Sequence, residues 1–420
     1  MQGLVSFALS ALMWLLPVQC VVLPMNMAIA DVAAAAVLPL GLVWLLHSRR
    51  ALHLPYLPAF AAILIATSFA CLGSMDPTDS AGVLVKEAYL YGWLAALGSV
   101  WASLAAPHQR RVLRAWLGAC LGNGVLVLAQ FADPGLLASM NAALAGRGGL
   151  DPFRPSGLFE NSNAAALFQL SSFVPLLALQ LRPIATGGLA AVLLSMMAGT
   201  GSMGALLALG VGIATLLALL VAFGRHRAAT RLAATLAACG AVVAIGGAIA
   251  LQASPTVQAR VQYVLTGRSE YSAESRFGIW ARGSAALAAD LPWLGVGPDV
   301  WKRLDGHELH NDMLSFAVER GPAGLAALLM LAVAVVHRTR RVLLRSPPGD
   351  LAATLPIPAA LAAFAVMSQT HEVFHQRPLW LVLALLETRW RPAGTAPAVP
   401  ATQSPALPLP GSILRPLLRD

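Results

Sequence analysis

Long apolar runs alternate with short polar or basic segments along most of this chain. A membrane-spanning helix needs about 20 predominantly apolar residues, and most of the runs come close to that length. The pattern therefore predicts an all-α integral membrane protein with about twelve transmembrane helices. The predicted spans are 4–22, 28–47, 56–73, 83–106, 116–133, 161–182, 184–199, 203–223, 232–252, 310–337, 351–370 and 378–390.

Two longer polar stretches interrupt the apolar pattern, and both fall on the same side of the predicted bundle. They are a smaller loop at 134–160 and a large loop at 253–309. The last apolar run is followed by a tail over 392–420 that is rich in Pro and Ala and has no charge before Arg415. Such a composition favours disorder. We predict a polytopic domain over 1–391 and a disordered tail over 392–420.

Composition supports the membrane class and changes how the charge is interpreted. The chain is 58% hydrophobic and 11% charged, and its mean hydropathy is +0.70, which excludes an ordinary soluble domain. A net charge of +9 would suggest nucleic acid in a soluble protein. Here most of the 28 lysines and arginines lie in short connections that alternate with the outer loops. The charge therefore sets membrane topology, with both termini in the cytoplasm and no nucleic-acid partner.

Ionisable and amide side chains collect near the outer ends of several predicted spans. Groups in such positions usually face a watery cavity rather than lipid. The pattern predicts a polar cavity that is open to the outer side of the membrane. The residues concerned are Asp31, Lys86, Glu87, Asn161, Asn163, Asp312, Glu319, His371, Glu372 and His375.

The two outer loops also carry arginines on the side of the membrane where positive charge is normally scarce. Basic side chains on that side therefore indicate an anion-binding site. A guanidinium binds phosphate through two parallel N–H groups in one plane. His310 lies at the start of a span beside these arginines. The combination predicts phosphate-linked chemistry at the membrane surface. The arginines concerned are Arg154, Arg260, Arg268, Arg276 and Arg303.

Three sequence blocks occur in order between residues 154 and 324. The first, 155–163, reads Pro-Ser-Gly-Leu-Phe-Glu-Asn-Ser-Asn; the second joins Arg276-Phe277-Gly278-Ile279-Trp280 to a Pro-x-x-Gly-x-Gly turn at 292–297. The third is His310-Asn311, nine residues, then Gly321 and Gly324. In these blocks, and in its twelve-span pattern, the chain resembles the O-antigen ligase family, part of the O-antigen ligase and polymerase superfamily of bacterial envelope glycan transferases.

The resemblance implies an enzyme of the bacterial inner membrane that moves a glycan from undecaprenyl diphosphate to a lipid A-core oligosaccharide in the periplasmic leaflet. It implies no cofactor and no metal ion. The expected catalytic residues are His310, as general base, and Arg276. The expected diphosphate-binding residues are Arg154, Arg260, Arg268 and Arg303, and the expected supporting residues are Asn311, Asn163 and Glu160.

Two departures from the family pattern bear on the acceptor. Many relatives have a Ser-Arg pair where this chain has Thr200-Gly201-Ser202, so another arginine must supply that charge. The polymerase branch often carries an Arg, ten residues, then Gly in its outer loops, a spacing that no loop arginine has here. This favours a ligase. An O-antigen polymerase and a pilin-glycosylating transferase of the same superfamily remain alternatives.

Two hypotheses from other classes also remain open. The segment His371-Glu372-Val373-Phe374-His375 matches the zinc-protease pattern, in which a helix places two histidines one turn apart. A membrane metalloprotease is therefore possible on motif grounds. A transporter of lipid-linked glycans would use the same arginines for binding and would not need His310 as a base.

Overall fold

A computed structural model describes residues 1–23, 27–144, 149–150, 154–253, 258, 262, 273–288 and 293–389. Two of the expected diphosphate-binding residues, Arg260 and Arg268, lie outside the described residues, as does the predicted tail over 392–420. The described helices belong to one compact unit, Met1–Arg389.

The described chain is almost entirely helical, with one pair of two-residue antiparallel strands, β1 (Val22–Leu23) and β2 (Met27–Ala28). The helices are α1 (Gln2–Leu15), α2 (Ile29–His47), α3 (Leu57–Leu72), α4 (Pro77–Ser103), α5 (Ala106–Ala132), α6 (Pro134–Leu144), α7 (Ser162–Ser171), α8 (Phe173–Ala178), α9 (Pro183–Gly199), α10 (Met203–Ala222), α11 (His226–Ala253), α12 (Ala273–Ala288), α13 (Trp301–Asp305), α14 (Asp312–Arg345), α15 (Pro348–Thr354), α16 (Pro356–Met367) and α17 (Arg377–Arg389).

Proline marks the start of many of these helices. It occupies one of the first two positions of α3, α4, α5, α9, α15 and α16. A residue in the first turn has no intrahelical partner for its N–H, so proline costs nothing there, and its fixed φ suits the helix. The helix starts are therefore encoded locally in the sequence.

Among the residues that the structure describes, six helical stretches are long and apolar enough to cross a membrane, which supports a multi-pass, all-α membrane protein. They are Ile29–His47, Ala106–Ala132, Met203–Ala222, His226–Ile249, Asp312–Arg345 and Pro348–Met367. Four shorter apolar stretches are Gln2–Leu15, Leu57–Leu72, Ser162–Ala178 and Pro183–Gly199. Large apolar side chains on the bundle exterior, such as Leu72 and Ile184, are exposed by 81% and 92%. The exterior therefore suits lipid, while the number of twelve spans stays a prediction.

An aromatic core joins α3, α4 and α17. Phe60 of α3 stacks on Tyr91 of α4 with ring centroids 4.4 Å apart and meets Trp380 of α17 at 5.3 Å. Phe374, in the loop over 368–376 before α17, packs edge-on against Trp380 at 5.4 Å. Its carbonyl accepts a hydrogen bond of 2.9 Å from the Trp380 indole. The core therefore fixes this loop against the bundle.

The long helix α14 is broken near its start. Gly321 has φ 66° and ψ −170°, far from helical values, and Pro322 follows it. Proline cannot donate a backbone hydrogen bond and clashes with a preceding helical turn. The break separates a short first segment, Asp312 to Arg320, from the longer membrane-spanning part.

The topology predicts which surfaces an impermeant thiol reagent reaches in intact cells. In a cysteine-free parent, Ser139→Cys and Leu304→Cys should react, since both positions are exposed in the two predicted outer loops. Ala228→Cys and Gly349→Cys are equally exposed but lie in predicted cytoplasmic connections, so they should react only after the membrane is permeabilised. Labelling of the second pair in intact cells would reverse the orientation.

Candidate active site

His310 occupies a strained turn immediately before α14. Its backbone is left-handed, with φ 49°, which is unfavourable for a residue that has a Cβ atom. Two contacts hold the turn: the Trp280 indole of α12 donates to the Leu309 carbonyl at 2.9 Å, and the Asn311 side chain accepts from Leu314 N–H at 3.0 Å. The second contact is an ordinary N-cap of α14. Together they fix where the imidazole of His310 points.

The residues after His310 also hold the loop over 368–376. Asp312 N–H donates to the Ser368 carbonyl at 2.9 Å. The Asp312 carboxylate accepts from the N–H groups of Val373 and Phe374 at 3.1 and 3.0 Å. This clamp places the ring of His371 against that of His310, with centroids 6.0 Å apart and planes inclined by 26°.

Both imidazoles are buried and both favour the neutral form. Burial lowers the pKa of His310; Glu308, 3.8 Å away, opposes this shift, and the positive charge of Arg276 adds to it. Burial, together with the neighbouring His310, lowers the pKa of His371 to about 3. For His310, burial has a larger effect on the pKa than the charge of Arg276. A neutral imidazole can accept a proton near pH 7.

Arg276 and Arg154 share this site. Burial lowers the pKa of Arg276, and the charge of Arg154 lowers it further, which places the two guanidiniums within electrostatic reach of each other. The charge of Arg276 also acts on His310 and His371. No carboxylate in the described ranges pairs with Arg276, and its Nε atom is buried without a hydrogen-bond partner. A half-buried guanidinium with an unsatisfied Nε atom is suited to an anionic ligand.

Other outer arginines are already bound to carboxylates of the protein. Arg282 forms a two-point ion pair with Asp305, with N–O distances of 2.5 and 2.8 Å. Arg303, an expected diphosphate ligand, pairs instead with Asp76 and Asp79 at the start of α4. These pairs fasten α13 to α12 and to α4. The structure therefore gives Arg303 a protein partner and does not show it free for a substrate.

The expected supporting residues have separate roles. Asn311 caps α14, as described above. Asn163 accepts a 2.9 Å hydrogen bond from the buried Ser202 hydroxyl, and so ties the turn at 200–202 to α7. Glu160 is exposed at the start of α7. The block at 155–159 is held to α5 by Gln130, whose amide oxygen accepts from the N–H groups at 156 and 157 at 3.0 and 2.8 Å.

Sequence reasoning missed Arg320, a fully buried charge of this region. Arg320 is 1% exposed, and its guanidinium donates to Glu87 at 2.6 Å, to Thr67 at 3.2 Å and to Glu319 at 3.2 Å. His375 approaches the same Glu87 oxygen at 3.4 Å. We call these five residues the buried charge network. The signal was present in the sequence, because an arginine inside a span is rare and usually functional.

The family's glycines lie where two backbones touch. A Cβ atom on Gly295 would lie 2.3 Å from the carbonyl carbon of Glu319, and one on Gly321 would lie 2.0 Å from the carbonyl oxygen of Trp293. Both glycines also have positive φ. Gly297 N–H donates to the Glu319 carbonyl at 3.0 Å, which satisfies an acceptor that the helix break leaves unpaired. The turn at 293–297 therefore packs against the backbone of α14 at its break.

The zinc-protease interpretation of 371–375 fails on local structure. These residues form a loop and not a helix, so the two histidines do not lie one helical turn apart on a common face. His371 stacks on His310, whereas His375 lies beside Glu87. Within the part of the chain that the structure describes, no three His, Cys, Asp or Glu side chains are grouped to hold a metal ion.

Comparison with known families supports the resemblance. Residues 188–329 match the family model described as O-Antigen ligase. The matched stretch includes Arg276, His310, Gly321 and Gly324, and it ends before the loop that carries His371. No curated protein matches the chain.

Substituting Gly295 should separate a steric clash from backbone strain. Gly295→Ala and Gly306→Ala both place a Cβ at positive φ, which costs about 1–2 kcal/mol. A Cβ at Gly306 meets nothing within 4 Å, whereas one at Gly295 strikes α14. We expect Gly295→Ala to lower the thermal midpoint and glycan transfer much more than Gly306→Ala. Equal losses in the two purified variants would show that the close contact does not matter.

Proposed function

We propose that this member of the O-antigen ligase family transfers a glycan from undecaprenyl diphosphate to a lipid A-core oligosaccharide at the periplasmic face of the inner membrane. The observation that carries the proposal is that the charge of Arg276 acts on the buried His310, whose pKa is lowered, while the Nε atom of Arg276 has no hydrogen-bond partner among the described residues. A proton acceptor and an anion-binding group in one site are what this transfer requires.

The reaction follows from these two groups. The acceptor hydroxyl attacks the anomeric carbon of the donor glycan as His310 removes the hydroxyl proton. A glycosidic C–O bond forms, and the C–O bond to the diphosphate breaks. Undecaprenyl diphosphate leaves with both electrons of that bond, and Arg276, with Arg154 beside it, stabilises the negative charge. The proton remains on His310 until water removes it.

The arginine assignments follow the contacts. We retain Arg276 and Arg154 as diphosphate ligands because the charges of both act on His371 and the charge of Arg154 acts on Arg276. We assign Arg303 to fastening α13 on α4, since two carboxylates already hold its guanidinium. Arg260 and Arg268 stay candidates from the sequence alone.

Several finer points rest on the resemblance. The family pattern and the outward arginines support a periplasmic site, with both termini in the cytoplasm. The missing polymerase spacing favours the lipid A-core over a growing glycan or a pilin as acceptor. A base placed beside the anion site favours transfer over transport, because a transporter has no use for a proton acceptor at that position. No step of the proposed reaction needs a metal ion.

Removal of the base should abolish most transfer. General-base catalysis is typically worth about 10²- to 10⁴-fold, so His310→Ala should lower kcat in that range while binding of the donor lipid persists. His307→Ala is the matched control, because His307 is in the same loop but is exposed and contacts Asp305. Purified protein would be incubated with lipid-linked glycan and either lipid A-core, pilin or a second lipid-linked glycan.

Product on lipid A-core that requires His310 supports the proposal. Product only on pilin or on the second glycan would move the chain to another branch of the superfamily. Full activity of His310→Ala would contradict the assignment of the base.

The shape of the Arg276 guanidinium should matter as well as its charge. A lysine keeps the charge but loses the two parallel N–H groups, so Arg276→Lys should lower kcat/KM by about tenfold or more. Arg282→Lys is the control, because Arg282 lies on the same helix and pairs with Asp305 at the surface. If the two lysine variants turn over alike, two-point recognition of the diphosphate at position 276 is wrong.

A further inference from the structure

His371 is a buried side chain with unused hydrogen-bonding capacity. Its side chain is 4% exposed, and neither ring nitrogen has a hydrogen-bond partner among the described residues. Buried polar atoms in folded proteins nearly always have partners, because an unmade hydrogen bond costs about 1–3 kcal/mol. An imidazole left in this condition indicates that a ligand completes its bonding.

The position of this ring is fixed. The Asp312 carboxylate holds the two peptide groups that follow Glu372, and the N–H of His371 donates to the Met367 carbonyl at 2.9 Å. On its other side the ring stacks on His310. Because the backbone is held at several points, the unsatisfied nitrogens are a built feature of the site.

His375, in the same loop, provides an internal comparison. Its two ring nitrogens lie 3.4 Å from Glu87 and 3.9 Å from Glu372. His375 therefore has carboxylate neighbours from α4 and from the loop itself, whereas the ring nitrogens of His371 have no hydrogen-bond partner among the described residues. Poor packing of the whole loop therefore does not explain why the ring nitrogens of His371 lack hydrogen-bond partners.

The charges around the stacked rings differ. Arg276 and the carboxylate of Glu372 act on both rings. Arg154 acts in addition on His371, whereas Glu308 and Lys302 act in addition on His310. His371 thus lies on the side of the two guanidiniums, where an anion would bind. His310 lies toward a carboxylate and an ammonium group, an environment suited to a polar acceptor.

We propose that His371 donates a ring N–H to a diphosphate oxygen of the donor lipid, next to Arg276, so that the transfer site contains two imidazoles with different tasks. This inference rests on the proposed transferase function. His310 handles the proton of the acceptor hydroxyl. His371 stays neutral, binds the donor, and aligns the diphosphate with the guanidiniums.

Binding of undecaprenyl diphosphate in detergent tests this role directly, with undecaprenol as the probe that lacks phosphate. A hydrogen bond to a charged group is worth roughly ten- to a hundredfold in affinity, so His371→Leu should weaken undecaprenyl diphosphate binding by that factor. Undecaprenol binding should not change. His371→Gln keeps an N–H donor and should restore most of the affinity, while His307→Leu is the control for loss of an exposed imidazole.

Kinetics separate binding from a structural role. We expect His371→Leu to raise the KM for the donor and leave the KM for the acceptor and the thermal midpoint unchanged. Unchanged diphosphate affinity in His371→Leu would overturn the proposal, as would an equal loss of undecaprenol binding or of thermal stability. If wild-type protein neither binds undecaprenyl diphosphate nor transfers glycan, the proposed function itself is wrong; a normal wild type with normal His371 variants removes only this inference.

Discussion

The architecture of the site depends on the buried ion pair between Arg320 and Glu87, whose side chains are both fully shielded from solvent. Two charges in an apolar bundle are tolerated only with close pairing and further hydrogen bonds, and loss of one partner typically costs about 3–5 kcal/mol. Here Thr67 and His375 supply further contacts. The pair therefore fixes the mutual register of α3, α4, α14 and the loop over 368–376.

The break in α14 leaves a short first segment with Arg320 at its end, and the strained turn of His310 lies immediately before its start. Because Gly321 interrupts the helix, the segment from Asp312 to Arg320 is set by its own contacts, to the turn at 293–297 and to the loop over 368–376. Both ends of this short segment are thus held, Arg320 in the apolar interior and His310 at the water boundary. Strain in the backbone of His310 persists since its surroundings determine it from several directions.

The electrostatics of the imidazole pair follow from this arrangement. Burial lowers the pKa of both rings and so favours their neutral forms, and the Nε atom of Arg276 is buried without a hydrogen-bond partner among the described residues. The proposed transfer rests on these two groups, a neutral imidazole that can accept a proton and a guanidinium that can bind an anion. The carboxylates that pair with Arg282 and Arg303 give those two arginines a structural role, so among the described outer arginines they are weaker candidates for a substrate anion than Arg276.

The sequence by itself determined the membrane class, the helix starts at prolines, and the blocks that carry the family resemblance, because hydropathy, proline geometry and short motifs are local properties. It also placed His310 and Arg276 in the same region of the chain. Only the tertiary structure decided that Arg303 pairs with Asp76, that 371–375 is a loop, that Arg320 pairs with Glu87, and that His371 stacks on His310. The physical reason is that residues far away in sequence decide whether a charged or polar side chain has a partner. Those residues come together only when the helices pack.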